Sequence, residues 1–344
     1  MTKTKTNPGR FFEDYTLGQR IDHAVPRTVS GGERALYHAL YPARHALYSS
    51  DEFARGCGLP GAPLDDLAAF HVIFGKTVPD ISLNALANLG YAEGRWLRPV
   101  WAGDTLRSVS EVIGLKQNSS GKSGVVWVRT KGFNQHSEIV LEYVRWVMVK
   151  KRDADAPAPE TVAPDLAAAL SADQLVIPKG LDFTDYDFTL AGEPHRWGDY
   201  AVGEVIDHVD GVTIEEAEHM LATRLWQNTA KVHFDRDARE GGRLIYGGHV
   251  ISMARALSFN GLANAQIIAG LNGGAHANPC HAGDTVRAWS EVLDRAETSA
   301  PGVGALRLRL VATKGGAAGA LKGEDGKYLP DVLLDLDYWA LVPM

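Results

Sequence analysis

The stretch Phe12-Glu-Asp-Tyr-Thr-Leu-Gly-Gln-Arg-Ile-Asp-His23 is written a second time, with substitutions, as Trp197-Gly-Asp-Tyr-Ala-Val-Gly-Glu-Val-Ile-Asp-His208. A further pair follows in the same order, Ala102-Gly-Asp-Thr-Leu-Arg-Ser-Val-Ser-Glu-Val112 and Ala282-Gly-Asp-Thr-Val-Arg-Ala-Trp-Ser-Glu-Val292. Ordered matches of this kind indicate duplication followed by changes in loop length. Because stacked repeat architectures need three or more units, two copies predict two tandem domains of one fold.

The composition is that of a soluble globular protein. Of the 344 residues, 45% are hydrophobic and 22% are charged, which is an ordinary balance for such proteins. The net charge of −7 argues against a general surface for nucleic acid or anionic membranes. The length suits about two domains, in agreement with the repeat.

The chain also lacks the usual signs of export or membrane insertion. Its first residues contain no apolar targeting segment, and no apolar run approaches the length of a membrane span. Cys57 and Cys280 lie in different copies without a Cys-x-x-Cys spacing, which fits a reducing compartment. We therefore expect a cytoplasmic protein without a membrane partner.

A segment rich in Pro, Ala and charge, Lys150–Pro164, separates the two copies. Such composition without periodicity is typical of an extended linker. We predict an N-terminal domain over residues 1–150, a linker over 151–195 and a C-terminal domain over 196–344.

Each copy shows the same order of predicted elements. Helices are predicted at Ser30–Tyr41 and Thr213–Gln227, followed by more apolar helices at Leu64–Lys76 and Gly247–Asn260. Strand-like alternation follows, as in Leu306-Arg-Leu-Arg-Leu310. The pattern predicts an α+β fold in which an antiparallel sheet wraps around a buried helix.

The second copy carries a group of residues suited to proton transfer. Asn228-Thr-Ala-Lys-Val-His233 is followed by Tyr246-Gly-Gly248-His249 at the head of the apolar helix. Together with Pro99-Val-Trp-Ala-Gly-Asp-Thr105, this resembles the MaoC-like, R-specific enoyl-CoA hydratase family. Wider stretches such as Val209–His219 are similar to the mesaconyl-CoA hydratases (β-methylmalyl-CoA dehydratases) of that family.

The resemblance implies a double hot-dog fold and the reversible hydration of an enoyl-CoA thioester, most simply mesaconyl-CoA to β-methylmalyl-CoA. It implies an acyl-CoA substrate as the partner, with coenzyme A as part of the substrate. It also implies that no metal or redox cofactor is needed. The pair His233 and Asp235 lacks the further His or Cys ligands that a metal site requires.

The resemblance, joined to the chemistry of hydration, assigns roles to five residues. His233 is expected to act as general acid and base, because histidine titrates near neutral pH. Asn228 is expected to orient the water. The Gly248 N–H at a helix start is expected to bind the thioester oxygen, with Tyr246 and His249 completing the substrate-binding group.

One departure from the family pattern indicates the substrate. The family aspartate is Asn228 here, the family asparagine is Ala230 and the family proline is Lys231. Mesaconyl-CoA carries a carboxylate on the carbon that receives water, and a nearby aspartate would repel it. A cation should meet that carboxylate, and Arg44, Lys231, Arg243 and His249 are all candidates.

The first copy lacks these residues. Position-by-position comparison places Tyr48 or Ser49 opposite His233, and Phe70 opposite Gly248. We expect this half to shape the acyl pocket without catalysing. Three alternatives stay open: a hydratase for another short enoyl-CoA, an acyl-CoA thioesterase, and a non-catalytic acyl-CoA-binding module. The sequence also leaves open a homo-oligomer.

Overall fold

A computed structural model describes residues 5–316 and 318–344. In these residues ten strands form a single antiparallel sheet in the order β1-β3-β4-β5-β2-β7-β10-β9-β8-β6. The strands are β1 (Arg20–Thr28), β2 (Ala85–Trp96), β3 (Thr105–Gln117), β4 (Ser123–Phe133), β5 (Ile139–Lys150), β6 (Val205–Thr213), β7 (Ile267–His276), β8 (Thr285–Glu297), β9 (Val303–Lys314) and β10 (Val332–Pro343).

Helices are confined to the connections and to the space enclosed by the sheet. None in the described parts of the chain has the length and apolar character needed to cross a membrane. The α-helices are α1 (Gly31–Leu40), α2 (Ala46–Ser49), α3 (Asp51–Gly56), α4 (Asp66–Thr77), α5 (Phe188–Ala191), α6 (Glu216–Leu225), α7 (Lys231–Phe234), α8 (Gly247–Leu257) and α9 (Phe259–Leu262).

The sheet consists of two five-stranded halves with the same internal order. The order β1-β3-β4-β5-β2 is mirrored by β6-β8-β9-β10-β7. The halves meet where β2 and β7 pair, with Tyr91 opposite Gly274 and Arg95 opposite Gly270. This confirms the predicted α+β arrangement, in which each half-sheet covers one of the two long buried helices, α4 and α8.

The core is built around the two central helices. Every residue of α4 is buried, and α8 is buried from Gly248 to Ala256. Helices that are apolar nearly all round pack against neighbours on every side. Gly75 of α4 approaches the backbone of Trp226 so closely that an added Cβ would collide with the Trp226 carbonyl. The two halves therefore share one core.

At the central helices, the two copies of the repeat align with a different offset from the one that the sequence predicted. Helices α4 and α8 begin at Asp66 and Gly247, and the Leu64 N–H bonds the Val100 carbonyl just as the Ile245 N–H bonds the Cys280 carbonyl. Leu67, not Phe70, is thus the counterpart of Gly248. The motif Phe-His-Val-Ile misled the alignment because it resembles Gly-His-Val-Ile without occupying the same turn.

The earlier helices begin close to their predicted positions. Helix α1 lies inside the predicted Ser30–Tyr41. Helix α6 begins at Glu216, three residues later than predicted, because Thr213 ends β6 by pairing with Thr285. The structure also places Tyr48 opposite His233, since each is the third residue of its helix, α2 or α7.

The segment over residues 151–195 runs from the first half-sheet, where Val162 bridges β3, to the outer surface of the second half-sheet. The Leu170 N–H bonds Asn272 Oδ1 at 2.8 Å, and the Trp339 indole donates to the Leu170 carbonyl at 3.1 Å. Phe183 and Tyr186 are buried in the same apolar cluster. This segment therefore covers part of the sheet as well as connecting the two halves.

Candidate active site

A cavity of about 300 Å³ lies at the junction of the two halves. Its wall is formed by side chains from both copies of the repeat. The first half contributes residues that include Phe74, Ser82, Asn88, Tyr91 and Arg145, and the second half contributes residues that include Asn228, His233, Tyr246, Gly247, His276 and Cys280.

His233 is half-buried at the cavity wall on the short helix α7. Its Nδ1 lies 2.9 Å from the carbonyl oxygen of Leu244. A carbonyl oxygen can only accept a hydrogen bond, so Nδ1 carries the proton and Nε2 is the basic nitrogen. Burial lowers the pKa of His233, partly opposed by the Leu244 hydrogen bond. The ring is therefore neutral and able to accept a proton at Nε2.

Asn228 lies at the same wall and is 1% exposed. Its Oδ1 accepts from the Ala230 N–H at 3.3 Å, and its own N–H donates to the Thr223 carbonyl. No hydrogen bond involving its Nδ2 is found among the described residues. The amide nitrogen is thus the group that Asn228 can offer to a ligand.

The start of helix α8 also lies against the cavity. Tyr246 is the N-cap residue, and its backbone N–H donates to His219 Nε2 at 2.9 Å. Gly247 lines the cavity with the His276 ring packed directly against its Cα, so an added Cβ would collide with that ring. The first amide N–H groups of a helix have no acceptor within the helix. Those of Gly247 and Gly248 are therefore available.

The side chain of Tyr246 lines the cavity, whereas Gly248 lies one position behind the wall. The Tyr246 hydroxyl is 3.2 Å from His71 Nδ1, and its ring centroid is 5.9 Å from that of His233. Burial holds the pKa of Tyr246 well above its usual range, so the hydroxyl stays protonated. An added Cβ on Gly248 would collide with the Tyr246 ring, so glycine there permits this side-chain position.

His249 was expected to touch substrate, and the structure places it elsewhere. Its side chain is fully buried outside the cavity wall. Nδ1 lies 3.3 Å from the Tyr41 hydroxyl and Nε2 lies 3.4 Å from Glu218. The side chain projects from α8 toward α1 and α6, because residues on one turn of a helix face different directions. His249 therefore supports helix packing and does not line the cavity.

The other three cations predicted to bind a substrate carboxylate contact groups outside the cavity. The guanidinium of Arg44 lies over the Phe259 ring, and Arg243 forms an ion pair with Glu216 at 2.5 Å. Lys231 donates to Asn84 Oδ1 at 3.2 Å. None of the three lines the cavity.

Sequence reasoning missed an arginine that does line the cavity. Arg145 on β5 is fully buried, with its guanidinium 4.3 Å from the centre of the Phe74 ring. The sequence did contain a signal for it. Tyr143, Arg145 and Val147 are two residues apart along β5, so their side chains project to the same face of the strand, and Tyr143 and Val147 are core residues. A charged side chain on this otherwise buried face indicates a role other than packing.

His276 and Tyr91 were missed as well. The Tyr91 hydroxyl lies 3.2 Å from His276 Nε2. Burial, with a smaller contribution from His233, lowers the pKa of His276 to about 4, so the ring is neutral at physiological pH. Neither residue belongs to a local motif, since β2 and β7 come from different copies and meet only in the folded sheet.

The equivalent region of the other half is almost filled. A cavity of about 20 Å³ remains there, lined by residues that include Tyr48 and Asp66. The Tyr48 hydroxyl hydrogen bonds to the Asp66 carboxyl group, which also accepts from the Ile268 N–H at 2.7 Å. The polar side chains at this position thus bond to each other and to the backbone of the other half.

The described residues contain no group of three or more His, Cys, Asp or Glu side chains placed to hold a metal ion. Cys280 at the cavity wall is a neutral thiol, because burial raises its pKa to about 12. The side chains at the wall that can exchange a proton near neutral pH are therefore the imidazoles of His233 and His276.

Comparison with known proteins gives consistent relatives over the whole length. The family model described as mesaconyl-CoA hydratase matches residues 1–323. The chain is 78% identical to a mesaconyl-CoA hydratase of Cereibacter sphaeroides over 98% of this chain and 99% of that protein. It is 58% identical to a β-methylmalyl-CoA dehydratase of Chloroflexus aurantiacus, covering 98% of each.

Solved structures agree on the fold. A MaoC domain protein dehydratase from Chloroflexus aurantiacus superimposes with a TM-score of 0.96 at 56% identity, covering 99% of both chains. A protein from Mycobacterium tuberculosis described as a double hot-dog fold gives a TM-score of 0.77 at 25% identity, covering 97% of this chain and 98% of that one. The chain has the double hot-dog fold.

Proposed function

Because the chain belongs to the mesaconyl-CoA hydratase family, we propose that it interconverts mesaconyl-CoA plus water and β-methylmalyl-CoA in the cavity between its two halves. The observation that carries the proposal is the orientation of His233. Its Nδ1 is held by the Leu244 carbonyl, which leaves a basic Nε2 at the wall that Asn228 and the start of α8 share.

In the hydration direction, His233 Nε2 removes a proton from water as the water oxygen bonds to the carbon that carries the free carboxylate. The electron pair of the double bond moves toward the thioester carbonyl. The proton held on Nε2 is then delivered to the α-carbon, so that H and OH are both added and the imidazole returns to its neutral form. Asn228 orients the water through its amide nitrogen.

The start of helix α8 stabilises the oxygen that becomes enolate-like. Unpaired amide N–H groups and the positive end of a helix favour developing negative charge. The Gly247 N–H is placed at the wall, and the Gly248 N–H follows it in the same turn. The His219 acceptor for the Tyr246 N–H keeps this turn in position.

Coenzyme A enters only as part of the substrate, and the mechanism uses this chain's own residues without a metal or redox cofactor. The first half is pocket-forming, because its counterpart of His233 is Tyr48, which is bonded to Asp66.

The test follows two signals at once after mesaconyl-CoA is added, the absorbance of the conjugated thioester and the appearance of free thiol. The proposal expects absorbance to fall without thiol release and β-methylmalyl-CoA to accumulate. Thiol release would instead identify an acyl-CoA thioesterase. Binding with neither signal would identify an acyl-CoA-binding module, and faster hydration of crotonyl-CoA would indicate a hydratase for another short enoyl-CoA.

A further inference from the structure

We propose that Arg145, assisted by Asn88, binds the free carboxylate of the substrate and selects dicarboxylic acyl thioesters over their alkyl counterparts. The inference rests on the proposed function, since it concerns the same cavity and the same reaction. It assigns this recognition to the first half of the chain, although the proton-transferring histidine is in the second.

Arg145 has more donors than partners. A guanidinium carries five N–H donors. Nη2 donates to Thr77 Oγ1 at 2.7 Å, and Nη1 and Nη2 lie 3.5 and 3.4 Å from Ser82 Oγ. Nε is buried without any partner. The side chain therefore contacts neutral hydroxyl groups and keeps unused donors in a fully buried position.

The cavity offers no negative charge to balance this arginine. Among the described residues that line it, Arg145 alone carries a permanent charge, and none is Asp or Glu. Burying a cation without a counterion is costly, and the cost is recovered only when an anion with good hydrogen-bond geometry is present. The ligand that best suits this wall is therefore itself anionic, and a carboxylate matches the planar fork of the guanidinium.

Asn88 supplies a second unused donor on the same face of the sheet. In the pairing of β2 with β5, Asn88 lies opposite Val147, and Tyr91 lies opposite Arg145. Residues directly opposite each other project to one face, as do residues two apart. Both Nδ2 and Oδ1 of Asn88 are buried without a partner, and Asn88 lines the cavity.

This wall is connected to the proton-transferring wall through two aromatic rings. The Arg145 guanidinium lies over Phe74, whose ring centroid is 5.7 Å from that of Tyr246. Tyr246 in turn packs beside His233. In mesaconyl-CoA the carboxylate is attached directly to the carbon that receives water, so the two groups that act on these atoms must share one small cavity.

The decisive experiment measures binding of two saturated thioesters that cannot be hydrated, methylsuccinyl-CoA and 2-methylbutanoyl-CoA. Methylsuccinyl-CoA carries a carboxylate at the position where 2-methylbutanoyl-CoA carries a methyl group. We expect Arg145→Met to weaken methylsuccinyl-CoA by at least about a hundredfold and to leave 2-methylbutanoyl-CoA nearly unchanged. Arg145→Lys, which keeps the charge and loses the fork, should fall between, and Asn88→Leu should cause a smaller selective loss.

Thermal unfolding separates binding from structure. Replacing an unbalanced buried cation by an apolar side chain of similar length should leave the melting temperature of the ligand-free protein unchanged or raised. Arg129→Met is the matched control, because Arg129 is on the neighbouring strand and pairs with Glu93. It should leave the preference between the two thioesters intact.

Equal weakening of both ligands by Arg145→Met, or no weakening of either, would overturn the inference. If that variant does not fold, the selectivity of Arg145→Lys and Asn88→Leu decides in the same way. Hydration of mesaconyl-CoA by the unaltered protein is measured alongside. Its absence would refute the proposed function, whereas hydration with unchanged ligand preference in the variants would refute this inference alone.

Discussion

The proton on Nδ1 of His233 determines what this side chain can do. Held against the Leu244 carbonyl at 2.9 Å, the ring presents a lone pair at Nε2, and a general base works only in that unprotonated form. Burial lowers the pKa of His233, so the neutral ring persists to lower pH than in a free histidine, whose pKa is about 6.5.

The first prediction follows from that shift. kcat/KM for hydration should stay level as the pH falls through about 6.5, and should decline only at lower pH, where the buried imidazole is protonated. The measurement is a pH profile of kcat/KM from about pH 5 to about pH 8, the range in which proteins are usually most stable. A decline centred at or above the ordinary histidine value would contradict the assignment.

Asn228 carries the second prediction. In Asn228→Asp the side chain keeps its shape and gains a negative charge beside the substrate carboxylate. kcat/KM should therefore fall more for mesaconyl-CoA than for crotonyl-CoA. Both substrates are measured with both proteins, so the loss with crotonyl-CoA is the control for the loss with mesaconyl-CoA. Equal losses would show that charge repulsion is not why asparagine is present.

The site residues that the sequence predicted correctly are close together in the chain. Asn228, His233 and Tyr246 line the cavity, and all three lie in one continuous region that resembles a known family. Arg145, Asn88 and His276 were missed because strand pairing alone brings them to the same wall. His249 was expected at the wall because it adjoins the glycines, but helical geometry points its side chain elsewhere.

A third prediction concerns the start of helix α8. In Gly247→Ala the new methyl group would collide with the His276 ring, so the helix start or the ring must move. A displacement of about 1 Å at a catalytic group costs about a hundredfold in rate, and kcat should fall accordingly while the protein remains folded. Gly31 begins α1 in the same way with open space around it, so Gly31→Ala should be nearly neutral.

Rate measurements with circular dichroism on both glycine variants check this prediction. An active Gly247→Ala protein with near-normal kcat would show that the start of α8 takes no part in stabilising the thioester oxygen.

Elements were predicted well where periodicity is strong. The buried helices α4 and α8 and the strand Val303–Lys314 follow the apolar pattern of the sequence. Boundaries were less accurate where pairing overrides local preference, as at Thr213, which joins β6 through Thr285. The junction of β2 and β7 was not foreseen, because glycines give these strands little side-chain pattern.

For the whole molecule, the contact between Asp66 and β7 yields a stability prediction. The Asp66 carboxyl group accepts from the Ile268 N–H of the other half. Burial, with a further contribution from Asp65, raises the pKa of Asp66 from 3.8 to about 7. The folded state therefore binds this proton more tightly than the unfolded state, and the contribution of Asp66 to stability falls as pH rises from about 4 to about 7.

Asp66→Asn should remove that part of the pH dependence, because the amide can still accept from the Ile268 N–H and does not ionise. The measurement is the free energy of unfolding in urea at several pH values across this window. Asp173→Asn, at an exposed position, serves as the control. An unchanged slope in Asp66→Asn would show that this carboxyl does not titrate in the folded protein.

One cavity is built from both copies of the repeated fold. In the first copy, Tyr48 and Asp66 occupy the region equivalent to the cavity. Arg145 and Asn88 of the same copy line the cavity itself. The repeat in the sequence predicts two domains, and the absence of a counterpart to His233 in the first of them predicts that the second is the catalytic half. It could not predict that both halves line one cavity, since that depends on how the sheets join.

A single histidine, His233 of the second half, is proposed to carry out the proton transfer. The most direct measurement compares kcat for mesaconyl-CoA hydration by His233→Ala with that of Tyr48→Phe, its counterpart in the first half. We expect a loss of about 10²–10⁴-fold for His233→Ala and a near-normal rate for Tyr48→Phe. Near-normal hydration by His233→Ala, or an equal loss in both variants, would contradict it.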